Sequence, residues 1–254
     1  MIRIRQLTLL AALGLAGCAT SKAPDLGLSE LVSRNAAARG GRAAIEAIRS
    51  LDARLRIVEP TYAAEGVWRV DRRGRMRIDV SIGGKRVFTE AFDGTNGWQV
   101  AGDALPKAAS PEGAAALRHS GQLPTNILGL HEMAAHGHRL QLVGREEIGG
   151  VLYYAVVLTL DDGFQTRYFV DPSSFLVTRS RVRKALHPDN DPTPTTIETV
   201  WSDFRPVAGV LFPFEARDTD LATGKLLQTT TLLGMTANRP VDDEFFQVPK
   251  GAGR

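Results

Sequence analysis

Four of the five histidines fall between positions 119 and 138: His119, His131, His136 and His138. Imidazoles gathered in this way could ligate a transition metal or serve a metal-dependent hydrolase. Their spacing is the first test. In His131-Glu132-Met133-Ala134-Ala135-His136 the two histidines stand five residues apart. The zinc-protease pattern H-E-x-x-H sets them four apart, about 40° around a helix, whereas five residues turn through about 140° and send the rings to different faces. A loop could still gather His136 and His138 with His119, which keeps a metal-dependent hydrolase as an alternative. No third ligand has a fitting spacing, so no metal site is assigned. Other catalytic signatures are missing from the sequence: it has no G-x-S-x-G turn and no glycine-rich phosphate cradle after a strand. The acidic residues sit mostly at turns or on polar strand faces, and Asp242-Asp243-Glu244 reads better as the start of a terminal turn before Phe245 and Phe246 than as a cation site. The residues call for no cofactor, and no enzymatic activity is expected.

The remaining chemistry-bearing residue is Cys18, the single cysteine in 254 residues, which excludes a disulfide framework. A basic opening with Arg3 and Arg5, an apolar run over 7–15 and the small residues Ala16 and Gly17 lead up to it. That is the order of an export signal. The run is far short of the roughly 20 apolar residues that a membrane span needs. Leu15-Ala16-Gly17-Cys18 resembles the bacterial lipobox, in which cleavage leaves the cysteine first and acylated. Each buried methylene adds about 0.8 kcal/mol of membrane affinity, so two or more long chains would tether the protein firmly to a bilayer. The reading divides the chain into a signal over 1–17, a flexible tether over 18–28 and a folded domain over 29–250.

Charge excludes a further class. A formal net charge of +3 on 254 residues is far from the concentrated basic stripe of a nucleic-acid binder. The arginines Arg54, Arg56, Arg69, Arg75 and Arg77, and a second row of Arg179, Arg181 and Arg183, read as a solvated outer sheet face with Asp71 and Asp79 as cross-strand partners. Contact with anionic headgroups is the alternative.

The elements that must carry these residues are mostly strands. Ser29 reads as the cap of a helix that ends at Gly40-Gly41, and a second short helix covers 42–49. Beyond Ser50 the period becomes two: Leu51, Ala53, Leu55 and Ile57 alternate with Asp52, Arg54 and Arg56, and Met76, Ile78, Val80 and Ile82 repeat the pattern. Asp93-Gly94 and Asp162-Gly163 mark turns. Between 103 and 137 the strand period vanishes, and Pro111 and Pro124 each precede a helical pattern, the second with Ile127, Leu130, Met133 and Ala134 on its apolar face. About eleven strands with hairpin-length connections predict one antiparallel sheet curled toward a barrel, a mainly β (α+β) fold. Its apolar face carries Trp68, Met76, Ile78, Phe88, Trp98, Leu142, Tyr154, Tyr168, Ile197 and Trp201, with Leu130 above it. A few short helices cannot cover so wide a face, so part of it is expected to line a cavity.

Taken together, Gly40-Gly41 with 45–51, Phe92-Asp93-Gly94 leading to Trp98, 168–172, 203–213 and the ending 242–249 resemble the LolA and LolB superfamily of bacterial lipoprotein carriers and receptors. The likeness runs in order along residues 29–250 and is closest to the outer-membrane lipoprotein-sorting proteins. It implies an unclosed antiparallel barrel, helices as a lid over a hydrophobic cavity for acyl chains, and binding or transfer without bond chemistry. It also implies a monomer in the periplasm, tethered to the outer membrane through Cys18, whose partners are lipid or lipoprotein acyl chains. A sensor or scaffold contacting another envelope protein is the alternative. The receptor bears an exposed apolar residue on a protruding hairpin, whereas Gly83-Gly84-Lys85 supplies none. Ala19 after the cysteine, in place of aspartate, favours the outer membrane by analogy with sorting in enteric bacteria.

Overall fold

The two-residue periods become a single antiparallel sheet of thirteen strands in a computed structural model that describes residues 26–249. Cys18, the signal over 1–17, most of the tether and position 250 lie outside the described residues. Strands β1 (Ser50–Glu59), β2 (Tyr62–Asp71), β3 (Met76–Ile82), β4 (Lys85–Phe92), β5 (Gly97–Ala101) and β6 (Lys107–Ala108) form one meander. A second follows, with β7 (Arg139–Ile148), β8 (Val151–Thr159), β9 (Gln165–Val170), β10 (Val177–Lys184), β11 (Thr195–Val207), β12 (Val210–Asp220) and β13 (Leu226–Ala237). The count exceeds the expected eleven, in part because β6 is two residues long and too short to show a period.

All neighbours in the sheet are consecutive in sequence except β1 and β13, which pair with Leu51 opposite Ala237. The meanders join at that seam, while the far edges β6 and β7 do not meet. The result is an unclosed barrel, and the segment that links its two free edges is the helical insert. Topology alone therefore draws the insert across the gap.

Among the described residues three α-helices accompany the sheet: α1 (Leu28–Ala38), α2 (Arg42–Ala47) and α3 (Pro111–Gln122). The cap of α1 is Gly27 and not Ser29, which lies inside the first turn. α2 stops two residues before Arg49 because Ile48 already has the extended conformation that leads into β1. Gly40, between α1 and α2, has φ +123°, and a Cβ there would lie 2.0 Å from the Gly209 carbonyl oxygen. Only glycine permits α1 to press so closely on the β11–β12 turn.

The main core fills the concave side. Leu31, Ile45, Leu130 and Met133 from the helices and the insert pack there with Val70, Met76, Tyr154, Val156 and Phe212 of the sheet. The convex side is also covered in places: Ala91, Trp98 and Val100 form one small cluster, and Tyr153, Ala155 and Phe169 another. Over the first lies a 3-10 turn, Asp243–Phe246, whose Phe246 is fully buried and whose carbonyl accepts from Trp98 Nε1 at 2.8 Å.

That turn changes the reading of the outer arginines. Asp71 takes Arg75 around the β2–β3 turn and Asp79 takes Arg77 on its own strand, so neither is the expected cross-strand partner, and the pair that does face across strands is Arg69 with Asp52. Yet Arg75 is only 6 % exposed, with its guanidinium 4.5 Å from the Phe246 ring centre. Part of the face expected to be solvated is a packed cation and aromatic layer. The β3–β4 hairpin differs as well: Ile82, just before Gly83-Gly84, is 46 % exposed, an apolar side chain that the turn residues themselves do not provide.

Candidate ligand-binding cavity

Between the concave sheet and the insert lies a cavity of about 650 Å³. Its size falls within the range of small-molecule pockets, roughly 300–1,000 Å³. The floor spans both meanders: Leu55 and Trp68 come from β1 and β2, Trp201, Phe214 and Leu232 from β11, β12 and β13. Tyr168 of β9 joins them, its ring stacked on Trp201 at 6.4 Å between centroids.

Helix α3 forms the roof. Ser110 caps it, its Oγ accepting from Gly113 N at 3.0 Å, and Pro111 occupies the first turn, where a missing N–H costs nothing. Glu112, Ala115, Ala116, His119 and Ser120 then recur at helical spacing along the face that lines the cavity. Past the helix the chain runs through Leu123, Thr125 and Asn126, also on the wall. This stretch hangs on one side chain. Arg39, at the end of α1 and 6 % exposed, donates to the carbonyls of Pro124 at 2.7 Å, Leu128 at 2.8 Å and Asn126 at 3.2 Å. With these carbonyls converging on one guanidinium instead of running parallel along a helix axis, the helix expected after Pro124 is reduced to one 3-10 turn, Leu130–Glu132. Burial pulls the Arg39 guanidinium down to about 10, opposed by the charge of Glu132, and leaves it protonated at neutral pH.

A third wall is the connection between β10 and β11. Pro188, Pro192 and Pro194 line the cavity there. The connection is fastened at both sides: Asp189 Oδ1 accepts from Ser110 N at 2.7 Å, and His187 Nε2 lies 2.7 Å from Glu59 Oε1 at the end of β1. Arg183 and Lys184 stand at the exposed rim.

Of the residues expected on the cavity wall, Trp68, Tyr168 and Trp201 line it. Met76, Leu130 and Tyr154 are buried in the main core beside it, with Ile78 and Leu142 packed against that core. Ile197 is fully buried, and Phe88 shares the β4 face of Phe92 without reaching the cavity. Trp98 is a correction, because it stands on the convex side. On β5 the concave position belongs to Gly97, where a Cβ would lie 2.9 Å from Ala114 of α3, so the close helix turns the small residue inward and the tryptophan outward. Three further wall residues were not among those expected: Leu55, which alternates with Arg54 and Arg56, and Phe214 and Leu232, whose apolar neighbours Pro213 and Leu233 blur the alternation.

The histidines are dispersed into separate contacts. His119 Nε2 lies 2.7 Å from Asp162 Oδ2 and the ring stacks on Phe164 at 4.0 Å. His131 Nε2 is 3.3 Å from Glu46, and the rings of His136 and His138 are 6.4 Å apart. Among the described residues no group of three or more His, Cys, Asp or Glu side chains is placed to hold a metal ion.

One acid in the wall is out of place in an apolar site. Burial raises the Asp218 carboxyl above its ordinary 3.8, against the pull of the Thr199 hydrogen bond and the Lys184 charge. A raised carboxyl contributes stability that is complete below about pH 3.8 and is lost as the pH climbs through the raised value. Asp218→Asn is therefore expected to stabilise the fold at pH 7, on the order of 1 kcal/mol, and to have no such effect at pH 3. Thermal unfolding of the two proteins at both pH values checks the sign.

No protein-family model matches the chain, and no curated protein matches it. Solved structures do. A LolA superfamily protein from Nitrosomonas europaea aligns with a TM-score of 0.56 at 14% identity, over 86% of this chain and 96% of that one. A DUF1329 family protein from Desulfovibrio piger gives 0.55 at 11% identity, over 86% and 96%. A domain named for outer membrane lipoprotein sorting, from Vibrio parahaemolyticus, gives 0.52 at 10% identity, over 85% and 94%. The chain has a LolA-like fold.

Proposed function

We propose that this LolA-like chain is an acyl-chain-binding protein of the bacterial envelope, tethered through an acylated Cys18 and acting by binding alone. The observation that carries the reading is the cavity of about 650 Å³, floored by aromatic and aliphatic side chains and roofed by the helical insert. Affinity in such a site comes from area, about 0.8 kcal/mol for each methylene removed from water, so a chain taken in over most of its length is held and a short one is not. The solved structure named for lipoprotein sorting supports the same class of cargo. A tethered cavity cannot travel between membranes, so the protein receives or holds its ligand at one surface, the outer membrane in this reading.

The unmutated chain is expected to begin at an acylated Cys18, and the full-length chain carrying Cys18→Ser, purified without detergent, to retain a stoichiometric lipid in native mass spectra. Trp201→Asp in the same background is expected to lower that occupancy at least tenfold, since a carboxylate would replace a floor aromatic. A mature chain whose Cys18 carries no acyl group by mass spectrometry would end the anchor assignment. An empty cavity after purification from lipid-rich cells would end the cargo assignment.

A further inference from the structure

Among the hydrogen-bonding side chains of the cavity wall, five on the sheet form a row. Tyr168 on β9 stands opposite Ser180 on β10, Ser180 opposite Thr199 on β11, and Thr199 opposite Asp218 on β12. Thr166 lies two residues before Tyr168 on the same face of β9, and all five line the cavity. Enclosure increases along the row: Thr199 and Asp218 are half-buried, whereas Ser180, Tyr168 and Thr166 are 3 %, 0 % and 3 % exposed.

The open end of the row is satisfied internally, because Thr199 Oγ1 donates to Asp218 Oδ1 at 2.5 Å. The enclosed end is not. Thr166 Oγ1 and Tyr168 Oη are fully buried neighbours, yet no well-formed hydrogen bond joins them and neither has another partner. A buried hydroxyl left unpaired carries a desolvation cost, and Val and Phe would supply the same shape without it. A wall made only for methylenes has no use for either oxygen.

We propose that the cavity takes an uncharged amphiphile polar end first, an alcohol or ester oxygen of the ligand completing the hydrogen bonds of Thr166 and Tyr168 while its alkyl chain lies on Trp68 and Trp201. The inference rests on the acyl-binding reading above and narrows the cargo. A carboxylate or phosphate end is rejected at the same place: none of the five side chains is cationic, Asp218 lies in the same row, and Arg183 and Lys184 are out at the rim. An ion there would lose its hydration with no opposing charge.

Two of the three tryptophans line the cavity, so their emission reports entry of a ligand. Titration of the full-length Cys18→Ser chain with 1-dodecanol, dodecane and dodecanoate is expected to show dodecanol bound at least tenfold tighter than the other two. A site that hydrogen-bonds an oxygen discriminates strongly against the analogue without one. The double variant Thr166→Val, Tyr168→Phe removes two unpaired hydroxyls and keeps the packing. It should bring dodecanol down to the level at which the same variant binds dodecane. Equal binding of dodecanol and dodecane by the unmutated wall, a preference that survives the double variant, or dodecanoate as the tightest ligand would each overturn the polar-end-first orientation while chain binding stands. Binding of none of the three would remove the acyl-chain reading as well.

Discussion

Arg39→Met should release the insert before it disturbs the sheet. The substitution keeps much of the volume but leaves the carbonyls of Pro124, Asn126 and Leu128 without their shared donor. Unpaired buried acceptors cost about 1–3 kcal/mol apiece when water cannot reach them, and partial opening relieves some of that, so a loss of about 3 kcal/mol is expected. Urea unfolding measures the total, and hydrogen exchange resolves where it falls. Amides over 123–138 should exchange faster by at least tenfold, while those of β1 and β13 change only with the global stability. Uniform acceleration across the sheet would mean that Arg39 supports the core as a whole and is no anchor of the roof. Retention of lipid by the variant would add that the roof is not what holds the ligand.

The second large effect is expected on the opposite side of the sheet. Phe246→Ala removes a fully buried ring from the layer where Trp98, Arg75 and Arg77 meet the C-terminal turn. Cavity-creating losses of this kind cost about 3–5 kcal/mol. Here Arg75 loses its aromatic partner too, but it keeps Asp71 and Asp243, so its charge is not stranded. The urea midpoint should fall with an unchanged slope, and Trp98, the tryptophan outside the cavity, should become more exposed to quenchers. A shift below about 0.5 kcal/mol would show that the turn is a passive tail.

The strands were legible because alternation is a local property. A period of two identifies a strand and its two faces from a few residues, as in 51–57 and 76–82. It does not say which face is concave when both are buried. β8 is apolar on both sides, and the structure divides it between the main core, through Tyr154 and Val156, and the convex cluster of Tyr153 and Ala155. Trp98 is misplaced by the same ambiguity: hydrophobicity assigns it to the cavity, whereas the close approach of Ala114 to Gly97 decides the matter, and that contact joins a strand to a helix beyond the reach of strand periodicity. The insert was legible as non-strand but not as a non-helix. Its second half has a helical pattern that is overridden by Arg39, a residue more than eighty positions away. The polar row was invisible, since Thr166, Tyr168, Ser180, Thr199 and Asp218 align only once the register of four strands is known.

The seam between β1 and β13 also sets an order of assembly. Every other strand pair closes a short loop and forms from neighbouring sequence, which is fast, whereas the seam requires the first and last strands to find each other across nearly the whole folded chain. Each meander can collapse on its own before that encounter. The cavity cannot, because Leu55 and Trp68 belong to one meander and Trp201 and Leu232 to the other. A chain that folds from its N-terminus holds half of an apolar floor open to solvent until its last long strand docks, and the binding site is among the final things it makes.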